Sequence, residues 1–150
     1  MKRFLTSISF VLVILSAISL TGCQKEDISK MPEVALANKS GDNYVYLFDS
    51  DKQVSATSDG RMKLAPPFIR IGFPADLDWG TVLGDWKIVN GTPSTGGKRE
   101  VDVYDTVEGW IKGGTVSLTS SSLSIDGKTK KGARYLVSHS GLIPFLNVEE

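Results

Sequence analysis

The sequence is short of everything that would cross-link or ligate. Its 150 residues hold one cysteine and one histidine. A lone cysteine cannot close an intramolecular disulfide or build a Cys-rich zinc site, and a lone histidine cannot supply a site of several His ligands. Neither sign of charge is in excess, since 17 Lys+Arg stand against 17 Asp+Glu. That balance argues against a nucleic-acid binder, which normally carries a basic surplus. No Gly-rich phosphate loop is present: Gly96-Gly97 and Gly113-Gly114 lack the Lys-Ser/Thr ending and the strand–loop–helix setting. No Gly-x-Ser-x-Gly elbow accompanies Ser138-His139-Ser140, so His139 reads as a surface or hydrogen-bonded residue. Sustained apolar stripes at the helical period are missing too, and helices are expected to be short or absent. What remains is a chain with 15 glycines and 41% apolar residues, of a length that suits one turn-rich domain.

The one long apolar run, 4–20, follows Met1-Lys2-Arg3. Two basic residues ahead of an apolar core match a secretory signal, with a retained membrane anchor as the alternative. Leu20-Thr21-Gly22-Cys23 then sets small residues before the only cysteine. This pattern resembles the lipobox of bacterial lipoproteins. The resemblance implies a diacylglyceryl group on the Cys23 sulfur, removal of residues 1–22 and acylation of the new amino group, with no other cofactor. A cysteine thiolate is the nucleophile such chemistry needs, and two or more acyl chains anchor stably where one is marginal.

Gln24-Lys25-Glu26-Asp27 is similar to the surface-export signal of Bacteroidota lipoproteins, with Lys25 and the acidic pair Glu26 and Asp27 carrying the likeness. It implies display on the outside of the outer membrane; the alternative is a periplasm-facing position. Loss of Lys2 and Arg3 with the signal leaves 15 basic against 17 acidic side chains, a mildly acidic mature chain.

Residues 23–41 are polar, contain Pro32 and show no sustained period. They read as the lipidated cysteine and a flexible tether, with Val34-Ala35-Leu36-Ala37 as a candidate first short strand. Residues 42–150 read as the folded domain. Tyr44, Tyr46 and Phe48 alternate with Val45 and Leu47, so both faces are apolar and the strand is expected to be central. Ser58-Asp59-Gly60 predicts a hairpin between 53–57 and 61–64. Strands are also expected over 68–73, 86–89, 100–104, 115–119, 122–126 and 133–138, with a last edge strand over 142–146. In 100–104, Val101 and Val103 should point inward and Asp102 and Tyr104 outward. About eight short strands at this spacing predict an all-β, antiparallel sandwich, with a small closed barrel as the alternative.

The stretch from Gly113 through Asp126-Gly127-Lys128 to Tyr135 resembles the C-terminal β region of small Bacteroidota lipoproteins of unknown function, a likeness that implies no activity. Gly84-Asp85-Trp86 shares letters with the Gly-x-Trp of lipocalin-like proteins but falls too late in the chain to open an eight-stranded barrel.

Lys128, Lys130, Lys131 and Arg134 form a basic turn, read as a charged hairpin that discourages edge pairing. The acidic pairs Asp49/Asp51, Asp76/Asp78 and Asp102/Asp105 read first as turn formers. The Asp49 stretch places Val54 where a calcium loop needs Gly and Gly60 where it needs Glu. Trp79, Asp76 and Asp78, in an irregular segment, are the candidate ligand-binding residues, and no metal set is expected. Trp86 and Trp110 are expected in the core and Trp79 on the surface. The leading functional expectation is a lipid-anchored, non-catalytic binding or accessory domain that meets a glycan or protein partner and the membrane, and no nucleic acid. The alternatives are a glycan binder using exposed aromatics and a metal-assisted hydrolase around Asp76 and Asp78.

Overall fold

The computed structural model describes residues 26–38, 42–145 and 148–149. Leu20, Thr21, Gly22, Cys23 and Lys25 lie outside the described residues; Glu26 and Asp27 lie within them and are exposed. The chain is all-β. Its strands are β1 (Ile28–Lys30), β2 (Val34–Asn38), β3 (Tyr44–Phe48), β4 (Val54–Ala56), β5 (Met62–Leu64), β6 (Ile69–Gly72), β7 (Gly84–Ile88), β8 (Glu100–Asp105), β9 (Gly109–Trp110), β10 (Lys112–Leu118), β11 (Ser122–Lys128), β12 (Arg134–Ser140) and β13 (Val148–Glu149). Helix is limited, among the described residues, to two 3-10 turns at Asp51–Gln53 and Trp79–Thr81. No helix there is long and apolar enough to cross a membrane.

The large sheet runs β1-β12-β11-β10-β7-β8-β6-β3-β2, with β9 paired to β8, and a small sheet runs β13-β5-β4. The sheet is mixed rather than purely antiparallel: β1 with β12, β7 with β8 and β13 with β5 are parallel. The connection 89–99 allows the β7–β8 pairing, because it is long enough to return the chain to the same end of the sheet. Among the described residues the strands number thirteen where about eight were expected; β1, β9 and β13 have only two or three residues, too few to show an alternation. The expected edge strand over 142–146 reduces, in its described part, to one parallel bridge between Phe145 and Ala37.

The stretch read as a tether is partly built into the sheet. β1 and β2 both lie within 23–41, and Val34 to Ala37 is the strand its apolar letters suggested. Ile28 packs against the main core, and Ala35 and Ala37 belong to it. The basic hairpin is not at an edge either, since β11 lies between β10 and β12, and β12 between β1 and β11.

The sheet curls around a core that includes Leu47, Ile71, Val103, Val116, Ile125 and Tyr135. This is a half-barrel or sandwich-like arrangement. As expected, β3 is central, between β2 and β6, and buried on both faces. Val45 and Leu47 enter the main core, while Tyr46 and Phe48 join Leu36, Phe68 and Leu64 in a second one. The β4–β5 hairpin covers that second core and turns at Gly60, whose φ is +81°.

β10 carries an irregularity in register between Lys112 and Gly114 where it meets β11. Gly114 has φ +94°, and a Cβ there would lie 1.9 Å from the Asp126 carbonyl oxygen. Both space and backbone conformation therefore demand glycine. Gly114→Ala is expected to destabilise by more than about 2 kcal/mol, whereas Gly60→Ala, in open space, costs about 1 kcal/mol. Urea unfolding midpoints of the two variants check this; equal losses would contradict it.

Candidate functional site

Asp76 and Asp78 do not converge. The Asp76 carboxylate accepts the Gly96 N–H at 2.7 Å, which ties the 91–97 loop down. Asp78 caps the second 3-10 turn by accepting the Gly80 N–H at 2.9 Å. Among the described residues no group of three or more His, Cys, Asp or Glu is placed to hold a metal ion. Trp79 is half-buried rather than exposed, with its ring 5.7 Å from Phe73 and 5.2 Å from Phe145. It forms a wall of an apolar groove of about 500 Å³ shared with Leu83, Leu118, Leu142, Ile143 and Phe145. The Trp79 indole N–H is buried there with no hydrogen-bond partner among the described residues.

Trp86 is buried, as its strand position predicted, but Trp110 is not: 47% of it is exposed. The reason is register. Trp110 sits opposite Tyr104 on β8, and Tyr104 is on the outer face because Val103 and Asp105 point inward. Arg70 on β6 faces Tyr104 and Tyr46, and Tyr44 lies one step further along β3. The Arg70 guanidinium carbon lies 4.7 Å from the Tyr44 ring centre, 5.8 Å from Tyr104 and 5.9 Å from Trp110. Trp110 and Tyr104 pack at 5.0 Å. The result is a cation set among three aromatic rings on an open sheet face.

Asp102 lies on the same face of β8 as Tyr104, next to Gly72, where a Cβ would come within 2.5 Å of its carboxylate. Burial pushes the Asp102 carboxyl above the usual range, against the opposing pull of Arg70 and the Gly72 N–H.

The most constrained ionisable group is Asp105, on the inner face of β8 and 1% exposed. Its carboxylate accepts hydrogen bonds from Lys30 on β1, from the Tyr135 hydroxyl on β12 at 2.6 Å, and from the Val107 and Glu108 N–H groups at 2.8 and 3.3 Å. Burial alone would raise its pKa, but the bonds from Lys30, Tyr135 and Val107 outweigh burial and hold the carboxyl below the usual range. Burial first, then the bond to Asp105, pushes the Tyr135 phenol well above its ordinary range. Nearby, His139 is buried and donates from Nδ1 to the Pro32 carbonyl at 2.9 Å. A cleft of about 320 Å³ opens beside this network, lined in part by Lys30, Met31, Phe48, Phe68 and Asp105.

Arg99 fixes the approach to β7. It donates to the carbonyls of Thr81, Val82, Leu83 and Asp85 and lies 4.2 Å over the Trp86 ring.

The sequence pattern favoured turn formation for the Asp102/Asp105 pair and did not reveal Arg70, Tyr104 and Arg99 as partners in these contacts. The available signal was the strict alternation of 100–105, which puts Tyr104 on the face opposite Val103. No family model, no curated protein and no solved structure matches the chain.

The lowered pKa of Asp105 stabilises the fold above the ordinary carboxylate value near 3.8, and that contribution disappears as pH falls through the folded-state value. Asp105→Asn is expected to cost about 3 kcal/mol at pH 7, because Lys30 loses its partner in a largely buried site. The gap between variant and parent should narrow in strong acid, where the parent carboxyl is protonated as well. Urea titrations at neutral and acid pH measure both; a gap independent of pH would refute the assignment.

Proposed function

We propose that this chain is a lipid-anchored envelope protein, held to the outer membrane through Cys23, whose β domain is a non-catalytic binding module. The lipid anchor rests on Leu20-Thr21-Gly22-Cys23, and Lys25-Glu26-Asp27 supports display at the cell surface. The observation that carries the binding function is the platform of Trp110, Tyr104 and Tyr44 around Arg70. Its rings offer flat apolar area at low conformational cost, and the guanidinium adds a fixed donor group. In this reading Asp76 and Asp78 are turn residues, each engaged with a backbone N–H.

A glycan is the ligand that this chemistry favours. Aromatic rings stack on the apolar faces of sugars, and the Arg70 guanidinium set among them suits their hydroxyls. A protein partner that buries Trp110 as its anchor is the second reading, favoured by the large exposed area of that one residue.

Two measurements test the proposal. Metabolic labelling with a clickable fatty acid should mark the parent and leave Cys23→Ser unmarked; label retained by Cys23→Ser would sink the anchor. A glycan array should yield binders for the parent, and Trp110→Ala should weaken them by more than about tenfold with little change in unfolding midpoint. Unchanged binding by Trp110→Ala would remove the platform from the function.

A further inference from the structure

The turn that joins β11 to β12 carries Lys128, Lys130, Lys131 and, just beyond it, Arg134; Lys112 of β10 sits in register with Lys128. All five side chains are exposed. Arg134 is held by Asp126 at 2.9 Å, whereas no carboxylate among the described residues pairs with the four lysines. Protection of a sheet edge does not account for them, because β11 and β12 lie inside the strand order.

The N-terminal segment arrives at the same end of the sheet. β1 runs parallel to β12 with Ile28 opposite Tyr135, so the start of β1 lies at the turn end of β12. Asp27 accepts a hydrogen bond from the Arg134 N–H at 3.1 Å. Cys23 precedes Asp27 by four residues, which reach at most about 14 Å when extended. A lipid on Cys23 therefore brings this end of the domain, and not the opposite one, against the bilayer.

We infer that the β11–β12 turn is a membrane-contact surface, in which Lys112, Lys128, Lys130 and Lys131 meet the phosphates of anionic lipid headgroups. The inference rests on the reading of Cys23 as the lipid anchor. Attraction of a lysine to an anionic bilayer is modest and fades within about 10 Å at physiological salt. The anchor makes the contact intramolecular, so weak attractions suffice to orient the domain. The other end of the same strands, with Leu118 and the groove beside Trp79, then points away from the bilayer.

The test uses the chain from Cys23 onward, which contains every described strand and both cores. Its only cysteine is coupled to a maleimide lipid in phosphatidylcholine vesicles, with or without phosphatidylglycerol. Lysine acylation is then read by mass spectrometry. Chemical coupling stands in for the cell, so the outcome does not depend on whether cells lipidate Cys23, which metabolic labelling reports separately. Acylation of Lys128, Lys130 and Lys131 should fall by about threefold or more on the anionic vesicles and recover in high salt, with Lys98, which lies before β8 toward the other end of the sheet, unchanged. Lys130→Glu combined with Lys131→Glu should abolish the protection of Lys128. Inorganic phosphate should protect none of these lysines in the uncoupled chain. Equal acylation on both vesicles, equal protection of Lys98, or protection by free phosphate would each overturn the inference.

Discussion

The fold turns on one carboxylate. Asp105 sits inside an apolar core, where an unpaired charge would cost several kcal/mol. It is tolerated because donors converge on it from separate places: Lys30 on β1, Tyr135 on β12 and two N–H groups after β8. β12 and β8 are separated in the sheet by β11, β10 and β7. A flat sheet would hold them far apart, since neighbouring strands lie about 4.8 Å from one another. The curl of the sheet and the satisfaction of Asp105 are therefore one requirement.

The same carboxylate reaches outward in two directions. Through Lys30 it pins β1, and with the His139–Pro32 contact it holds the segment before β2 against β12. A chain that looks like a polar leash thus enters the fold at Ile28. Any anchor on Cys23 would therefore hold the domain close to the membrane. Through Val107 and Glu108 it caps the turn between β8 and β9, which sets Trp110 opposite Tyr104. A buried acid in the core thus fixes the position of an exposed aromatic on the outer face.

Much of the strand pattern was legible because alternation reports burial directly. Val101 and Val103, Leu123 and Ile125, and the two-faced Tyr44 to Phe48 all sit where their spacing placed them. Asp105 was illegible as a core residue, since an acid before Thr106 looks like any turn former and its partners are Lys30 and Tyr135, both distant in sequence. Trp110 was misplaced because a two-residue strand has no period from which to read a face. Trp79 was misplaced for a different reason: Phe73 and Phe145 cover it from distant parts of the chain. Parallel pairing is likewise a property of connections rather than of strands, so nothing in β7 or β8 alone announces it.

The platform owes its rigidity to the side chains packed around it. Arg70 has rings on several sides and the Asp102 charge nearby, so its guanidinium is fixed before any ligand arrives. Asp102 in turn needs the absence of a side chain at Gly72. Tyr44 leans edge-on against Tyr46, which packs on Phe68 in the second core. Exposed Trp110 rests on half-buried Tyr104, and half-buried Tyr44 on buried Tyr46, so little side-chain freedom remains to be lost on binding. Under the proposed binding function, an aromatic surface held this way would favour a ligand that matches its existing shape over one that must remodel it, and would place selectivity in the spacing of Tyr44, Tyr104 and Trp110 around Arg70.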